Sequence, residues 1–388
     1  GLGDVYKRQL QDYQGGEKAV IPFPAKRHLV VDRVSVAPDS EKLYMPDVKT
    51  LCLEEFTWNT IKEGQKGAPC ILYLHGYSRT PSELGVQQVE YLKRGYTVIG
   101  IDMRNYPSNP FPDYLHDIKG CTRYVRAHAA WLGIAGERLG ASGQSLGGNA
   151  ALLLAVTGSC PELEGTVGGN AGISSRIQAA VAGYGWTDLL SMGPDLLEEY
   201  MDASDAVKKQ KYENTDGPTG PAAAVIGFQG KGKGLKALRS YREERESGEG
   251  RAEDGHMEQL LKLEYQASPI NHIGPDTPPM ALYSGVGMMR VDIANRQTYR
   301  TFERMGSYGV DCYMFCNTNG AYGVKPEIVE GVMTFLDRYL KNEPPVRKTV
   351  AVPQSLEIVE DGVDRRLSYP LVVKRDGSVS YTHLTLPT

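Results

Sequence analysis

One hexapeptide constrains this chain more than any other feature: Gly143-Gln144-Ser145-Leu146-Gly147-Gly148. Arg138–Ser145 reads as a short strand running into a turn, and Leu146–Val156 (LGGNAALLLAV) as a helix rich in small residues. A serine at so sharp a strand-to-helix turn takes unfavourable backbone angles, so the residues two positions to either side must be small. Gly143 and Gly147 meet that demand. A helix opening at Leu146 turns free backbone N–H groups and a positive helix end toward whatever happens at Ser145. Strand before and helix after are the context a G-x-S-x-G nucleophile turn needs, and a chance Gly-Ser turn lacks it.

The rest of the chain repeats the strand-then-helix theme. His28–Ala37 (HLVVDRVSVA) alternates as a strand should, and Leu51–Trp58 reads as its partner. Cys70–Leu74 (CILYL) is a buried run ending in His75-Gly76-Tyr77, followed by a polar helical stretch at about 82–94. Tyr96–Asp102 is another buried strand, and Asp117–Trp131 has apolar residues at helical spacing. The pattern resumes late, with Pro279–Ser284 a strand, Ile293–Met305 a helix, Val310–Phe315 a strand and Pro326–Leu340 an amphipathic helix. Such alternation predicts an α/β fold with a mostly parallel central sheet and helices on both faces. Between Asp188 and Ser268 the pattern breaks into a helical, charged, glycine-rich segment. It reads either as a cap over the active-site face or as a solvated insertion.

Composition narrows the function classes. The 388 residues are 41% hydrophobic and 23% charged, enough for a core without staples. A net charge of -4 with no long basic run argues against nucleic acid. None of the six cysteines (Cys52, Cys70, Cys121, Cys160, Cys312, Cys316) forms a CxxC pair, so buried free thiols and a reducing, cytoplasmic setting are expected. No stretch approaches the roughly 20 apolar residues of a membrane span, and no signal peptide is visible. Nothing calls for a metal or an organic cofactor, and the oligomeric state is left open. The opening GLGDVYKRQ and closing VSYTHLTLPT resemble translated sequencing-adapter read-through. The expected organisation is therefore a domain over 10–345 with a cap-like insertion at about 189–267, an appendage at 346–376, and non-native ends at 1–9 and 378–388, which sets His383 aside.

Taken together, LYLHGY, VIGIDMRNYP, DIKGCTRYVRAHA, GASGQSLGGNAAL, YGWTDLL, SPINHI, PPMALYSG and PEIVEGVMTFLDRYL resemble the α/β-hydrolase superfamily. The resemblance spans about Cys70 to Leu340, apart from the insertion. It points to the branch of prolyl-oligopeptidase-like peptidases and bacterial acyl or carbohydrate esterases, and so to a small-molecule or peptide acyl substrate. It implies that Ser145 is the nucleophile and that the backbone N–H groups of Tyr77 and Leu146 form the oxyanion hole. His75 then orients its loop, and Asp102 is a loop-fixing carboxylate.

The resemblance also implies an acid after the seventh core strand and a histidine after the eighth. This sequence departs from the pattern at both. Gly285-Val286-Gly287-Met288-Met289-Arg290-Val291 places Met288 at the acid position, and Asn317–Glu327 places Ala321, or Tyr322 with a shift of one, at the histidine position. Stand-ins for the acid are Asp292 and Asp188, each also suited to capping a helix. For the base they are His272, also readable as a packed histidine, and Tyr322, whose phenol would need a strongly perturbed pKa. His28, His116, His128 and His256 are poorly placed. Serine is a weak nucleophile without a base. Three readings stay open: a serine hydrolase with a displaced base, a catalytically silent relative that binds or scaffolds, and an acyltransferase using the same serine.

Overall fold

The computed structural model describes residues 43–44, 52–56, 67–77, 86–168, 170–199, 204, 206, 215–217, 221–228, 234–248, 254–285, 293–317, 324, 326–342, 371–373 and 379–381. The strands are β1 (Leu43–Tyr44), β2 (Cys52–Phe56), β3 (Ala68–Leu74), β4 (Thr97–Ile101), β5 (Ile134–Gln144), β6 (Ala179–Gly183), β7 (Met280–Gly285) and β8 (Cys312–Asn317). They form one sheet in the order β1-β2-β4-β3-β5-β6-β7-β8. From β4 to β8 every pairing is parallel; β1 and β2 join antiparallel at one edge. The expected strand at His28–Ala37 lies outside the described residues.

The central strands are apolar without alternation because both faces are covered. On β3, Cys70, Leu72 and Leu74 pack into one core while Ile71 and Tyr73 pack into the other. On β4, Ile99 and Ile101 take the first face and Val98 the second. Helices α1 (Val86–Lys93) and α10 (Pro326–Leu340) supply the second core through Tyr91, Leu92, Val332, Phe335 and Leu336. Helices α2 (Asp113–Ala127), α4 (Leu146–Val156) and α9 (Asn295–Ser307) cover the first, with the short α3 (Ala129–Leu132) at its margin. All eleven residues of α4 are buried, which explains its small and apolar composition. Each of its fully buried leucine side chains contributes roughly 2 kcal/mol.

The predicted helix at 117–131 starts earlier, at Asp113, because Pro112 sets the entry and Asp113 suits the first turn. It breaks at His128, and α3 then ends on Gly133 in the left-handed region. Cys70 and Cys121 are buried; Cys160, Cys312 and Cys316 are only half-buried, the last two because β8 is the edge strand.

The insertion contributes α5 (Met192–Glu199), α6 (Pro221–Val225), α7 (Leu235–Glu246) and α8 (Gly255–Ala267). Val225, Leu235, Leu238, Tyr241, Met257 and Leu260 join the first core, so its described parts are packed against the body. The Phe111 N–H donates to the Val225 carbonyl, tying α6 to the loop after β4. Near the C-terminus, β9 (Leu371–Val373) pairs antiparallel with β10 (Val379–Tyr381), which spans the expected junction between appendage and foreign end.

Candidate active site

Sheet order places the site. β3 lies between β4 and β5, so the chain leaves β3 toward one side and returns on the other. A crevice opens at the carboxyl ends of strands where the order reverses in this way. The loop His75-Gly76-Tyr77 leaves β3 there, and Ser145 leaves β5; Leu74 pairs with Gly143 across the two strands.

Ser145 has φ 59° and ψ −122°, the strained backbone that the flanking glycines were expected to permit. A Cβ on Gly143 would overlap the Gly147 carbonyl, and one on Gly147 would overlap the Leu74 carbonyl. The turn is held in place from outside. The Ser145 N–H donates to the Gly183 carbonyl at 2.8 Å, and the Ser145 carbonyl accepts from Asn149 N–H at 3.0 Å. Tyr114 Oη donates to Asn149 Oδ1 at 2.9 Å, and Asn149 Nδ2 donates to the Trp186 carbonyl at 2.9 Å. One buried asparagine on the first turn of α4 thus links α2 to the loop after β6.

The β3 loop is fixed by His75. Its Nδ1 lies 2.9 Å from the Gly76 carbonyl, and its Nε2 lies 3.5 Å from Met103 N and 3.4 Å from Asp102 Oδ1. Nε2 thus faces the end of β4, while Nδ1 closes on the backbone of its own loop. The loop after β4 is pinned in turn by Arg104. Its guanidinium and backbone N–H both donate to the buried Asp117 carboxylate. Burial raises the Asp117 pKa, and the Arg104 contacts oppose that rise. Tyr77 thus stands on the loop after β3, and Leu146 opens α4 directly after the Ser145 turn.

The stand-ins for acid and base fall as follows. Met288, Asp292, Ala321 and Tyr322 lie outside the described residues. Asp188 accepts from Ser191 N–H at 3.2 Å and from Ser191 Oγ at 2.5 Å, and pairs with Arg300 at 3.4 Å. Its carboxylate closes the turn leading into α5. His272 sits with Nδ1 4.0 Å from Cys160 Sγ and Nε2 3.0 Å from the Gln266 carbonyl. Cys160 lies beyond the far end of α4, whose eleven residues span about 16 Å from Ser145. Burial lowers the His272 pKa. His116 packs against Gly165, His128 against Tyr124, and His256 faces Phe228. Among the described residues no cluster of His, Cys, Asp or Glu could hold a metal, and no helix is long and apolar enough to cross a membrane.

Sequence reasoning gave no role to the aromatic side chains around the crevice. Tyr77, Tyr106 and Trp186, each a few residues past the end of β3, β4 or β6, come together in space. Their positions just beyond buried strands are the one local signal that marks them.

Comparison with known proteins agrees with this geometry. Residues 60–216 match the BD-FAE family model. The chain is similar to a probable carboxylic ester hydrolase, LipM, of Mycobacterium tuberculosis, 32% identical over 94 residues covering 24% of this chain and 21% of that protein. It is also similar to the esterase LipI of the same organism, 28% identical over 102 residues covering 25% and 32%. The matched stretch is thus about a fifth to a third of these relatives' length. Among solved structures, a truncated carbohydrate esterase from gut microbiota superposes with TM-score 0.56 at 19% identity, covering 75% of this chain and 91% of that one. A thermophilic esterase from Thermogutta terrifontis does so with TM-score 0.51 at 19% identity, covering 77% and 90%. At that identity the two structures speak to fold alone. With the sheet order and the serine turn, these matches lead to one conclusion: the chain has an α/β-hydrolase fold, and part of it is similar to esterases.

Proposed function

We propose that the protein is a serine esterase in which Ser145 attacks the ester carbonyl and the Tyr77 and Leu146 N–H groups hold the resulting oxyanion. The observation that carries this reading is the retained strain at Ser145, with φ 59° in a non-glycine residue. Strain of this kind is costly, of order 1–3 kcal/mol, and persists where surrounding structure over-determines it. Here Gly143, Gly147 and the Gly183 carbonyl do so. The turn aims the start of α4 at the crevice, where partial positive charge meets a developing oxyanion. The substrate class we favour is an acylated carbohydrate, following the likeness to a carbohydrate esterase.

A second reading has its own observation. Met288 and Ala321 stand where the superfamily pattern has an acid and a histidine. In that reading the fold and crevice bind a ligand without turnover. Labelling with a fluorophosphonate probe separates the two, with residues 10–377 compared against the same protein carrying Ser145→Ala. Labelling that disappears in the variant supports an activated Ser145 and a base at a new position. Absence of labelling in folded protein supports the binding reading and refutes the esterase.

A further inference from the structure

Three side chains form a row along the crevice. The Tyr77 ring lies 5.3 Å from that of Tyr106 at 36°, and Tyr106 lies 6.4 Å from Trp186 at 76°. Exposure falls steeply along the row, from 48% at Tyr77 to 8% at Tyr106 and 4% at Trp186. The row is open at the end carrying the proposed oxyanion N–H and closed at the end next to α4.

Among the described residues, two buried polar atoms of the row and its chain neighbour have no hydrogen-bond partner. The Trp186 indole N–H is a buried donor without an acceptor, and Asn105 Oδ1, one residue before Tyr106, is a buried acceptor without a donor. Most buried polar groups are hydrogen-bonded, so each exception asks for an explanation. Elsewhere around Ser145, Asn149, His75 and Asp117 have hydrogen-bond partners, while Gln144 Nε2 is a further buried donor without one among the described residues. Burial, and then the neighbouring Tyr77, raise the Tyr106 pKa, so its hydroxyl stays protonated and offers a neutral O–H.

We propose that this row determines alcohol specificity: Tyr77 is the platform for the ring of a sugar alcohol, and Trp186 and Asn105 read its hydroxyls. The proposal rests on the reading of Ser145 as an ester-directed site and names the side chains that select the leaving group. The chemistry of the two orphaned atoms decides the class. A hydroxyl is donor and acceptor at once, so the several hydroxyls of a sugar can meet an N–H and a C=O. A hydrocarbon alcohol leaves both unmet, and a carboxylate meets only the donor. An aromatic face beside them suits a ring with an apolar side and a polar rim. Tyr77, the exposed member, is the side chain that shifts to admit the ring.

Binding to the Ser145→Ala protein tests this without turnover. Methyl glucoside monoacetate is titrated calorimetrically, with cyclohexyl acetate as a ring of the same size lacking hydroxyls. The glucoside ester should bind saturably, and Tyr77→Ala should weaken it about tenfold while Tyr77→Phe keeps it within about twofold. Trp186→Phe, checked for folding by circular dichroism, should weaken the glucoside ester and leave cyclohexyl acetate unchanged. Equal affinity in Tyr77→Ala, or cyclohexyl acetate binding as tightly as the glucoside ester, overturns the proposal. So does a lack of saturable glucoside binding in protein whose native form labels at Ser145; there this proposal fails while the esterase reading stands. Glucoside binding in protein that never labels supports the row and refutes the esterase.

Discussion

The two ends of helix α4 carry opposite chemistry. At its C-terminal end, buried Lys119 donates to the Thr157 carbonyl at 2.7 Å and pairs with Glu164 at 3.1 Å. Arg123 meets the Glu164 carboxylate at 2.6 Å and the Val167 carbonyl at 2.6 Å, and Ser175 Oγ donates to Glu164 at 2.8 Å. A cation at a helix C-terminus complements the negative end of the dipole. Burial works against the Glu164 charge, but Lys119, Arg123 and Ser175 outweigh it and hold its pKa below the ordinary value. At the N-terminal end Ser145 is strained, and among the described residues the side-chain nitrogens of Gln144 and Trp186 have no hydrogen-bond partner. The C-terminal end is complemented by buried cations, and the N-terminal end carries the strained serine turn.

The sharpest way to break this comparison is Ser145→Ala. If the N-terminal end is catalytic, turnover of nitrophenyl acetate should fall about 10⁴–10⁶-fold, with unfolding in urea unchanged or slightly improved. Equal turnover in the variant would remove Ser145 from the chemistry. At the other end, Glu164→Gln leaves Lys119 and Arg123 buried without their carboxylate. It should cost about 3 kcal/mol in urea denaturation, with probe labelling per folded molecule unchanged. A change in labelling with no loss of stability would reverse the roles of the two ends.

Glu264 extends the contrast. This buried carboxylate on α8 accepts from Ser268 Oγ at 2.9 Å and lies beside the turn after β6. Burial pushes its pKa up to about 7, with Asp188 adding to the rise and Ser268, Arg242 and the Leu190 backbone opposing it. The folded state therefore holds a proton that the unfolded chain has released above its ordinary value of 4.5. Its contribution is full below pH 4.5 and is lost as pH rises to about 7. Over that window the loss is on the order of 3 kcal/mol. Glu264→Gln should remove this slope, read as the difference in melting temperature between the two proteins from pH 4.5 to 7.5. Parallel curves would show that folding does not raise the Glu264 pKa.

The smallest effect is expected at His272. Held by Cys160 and the Gln266 carbonyl near the C-terminal end of α4, His272→Gln should leave probe labelling intact and cost under about 1 kcal/mol. Loss of labelling would instead make it the base and bring the two ends into one site.

What the sequence determined by itself was local. Two glycines around Ser145, a helix of small residues after it, and unbroken apolar runs such as CILYL follow from sterics and burial within a few residues of each position. They were enough for a parallel sheet covered on both faces and for the serine turn. The tertiary structure decided which loops meet. Tyr77, Tyr106 and Trp186 lie far apart in the chain and touch only because β4, β3, β5 and β6 are neighbours in that order. The contacts of Asp188 with Ser191 and Arg300, and of His272 with Cys160, are likewise visible only in the folded chain. Strand order is set by long-range pairing and by the packing of whole helices, and no window of local sequence encodes it.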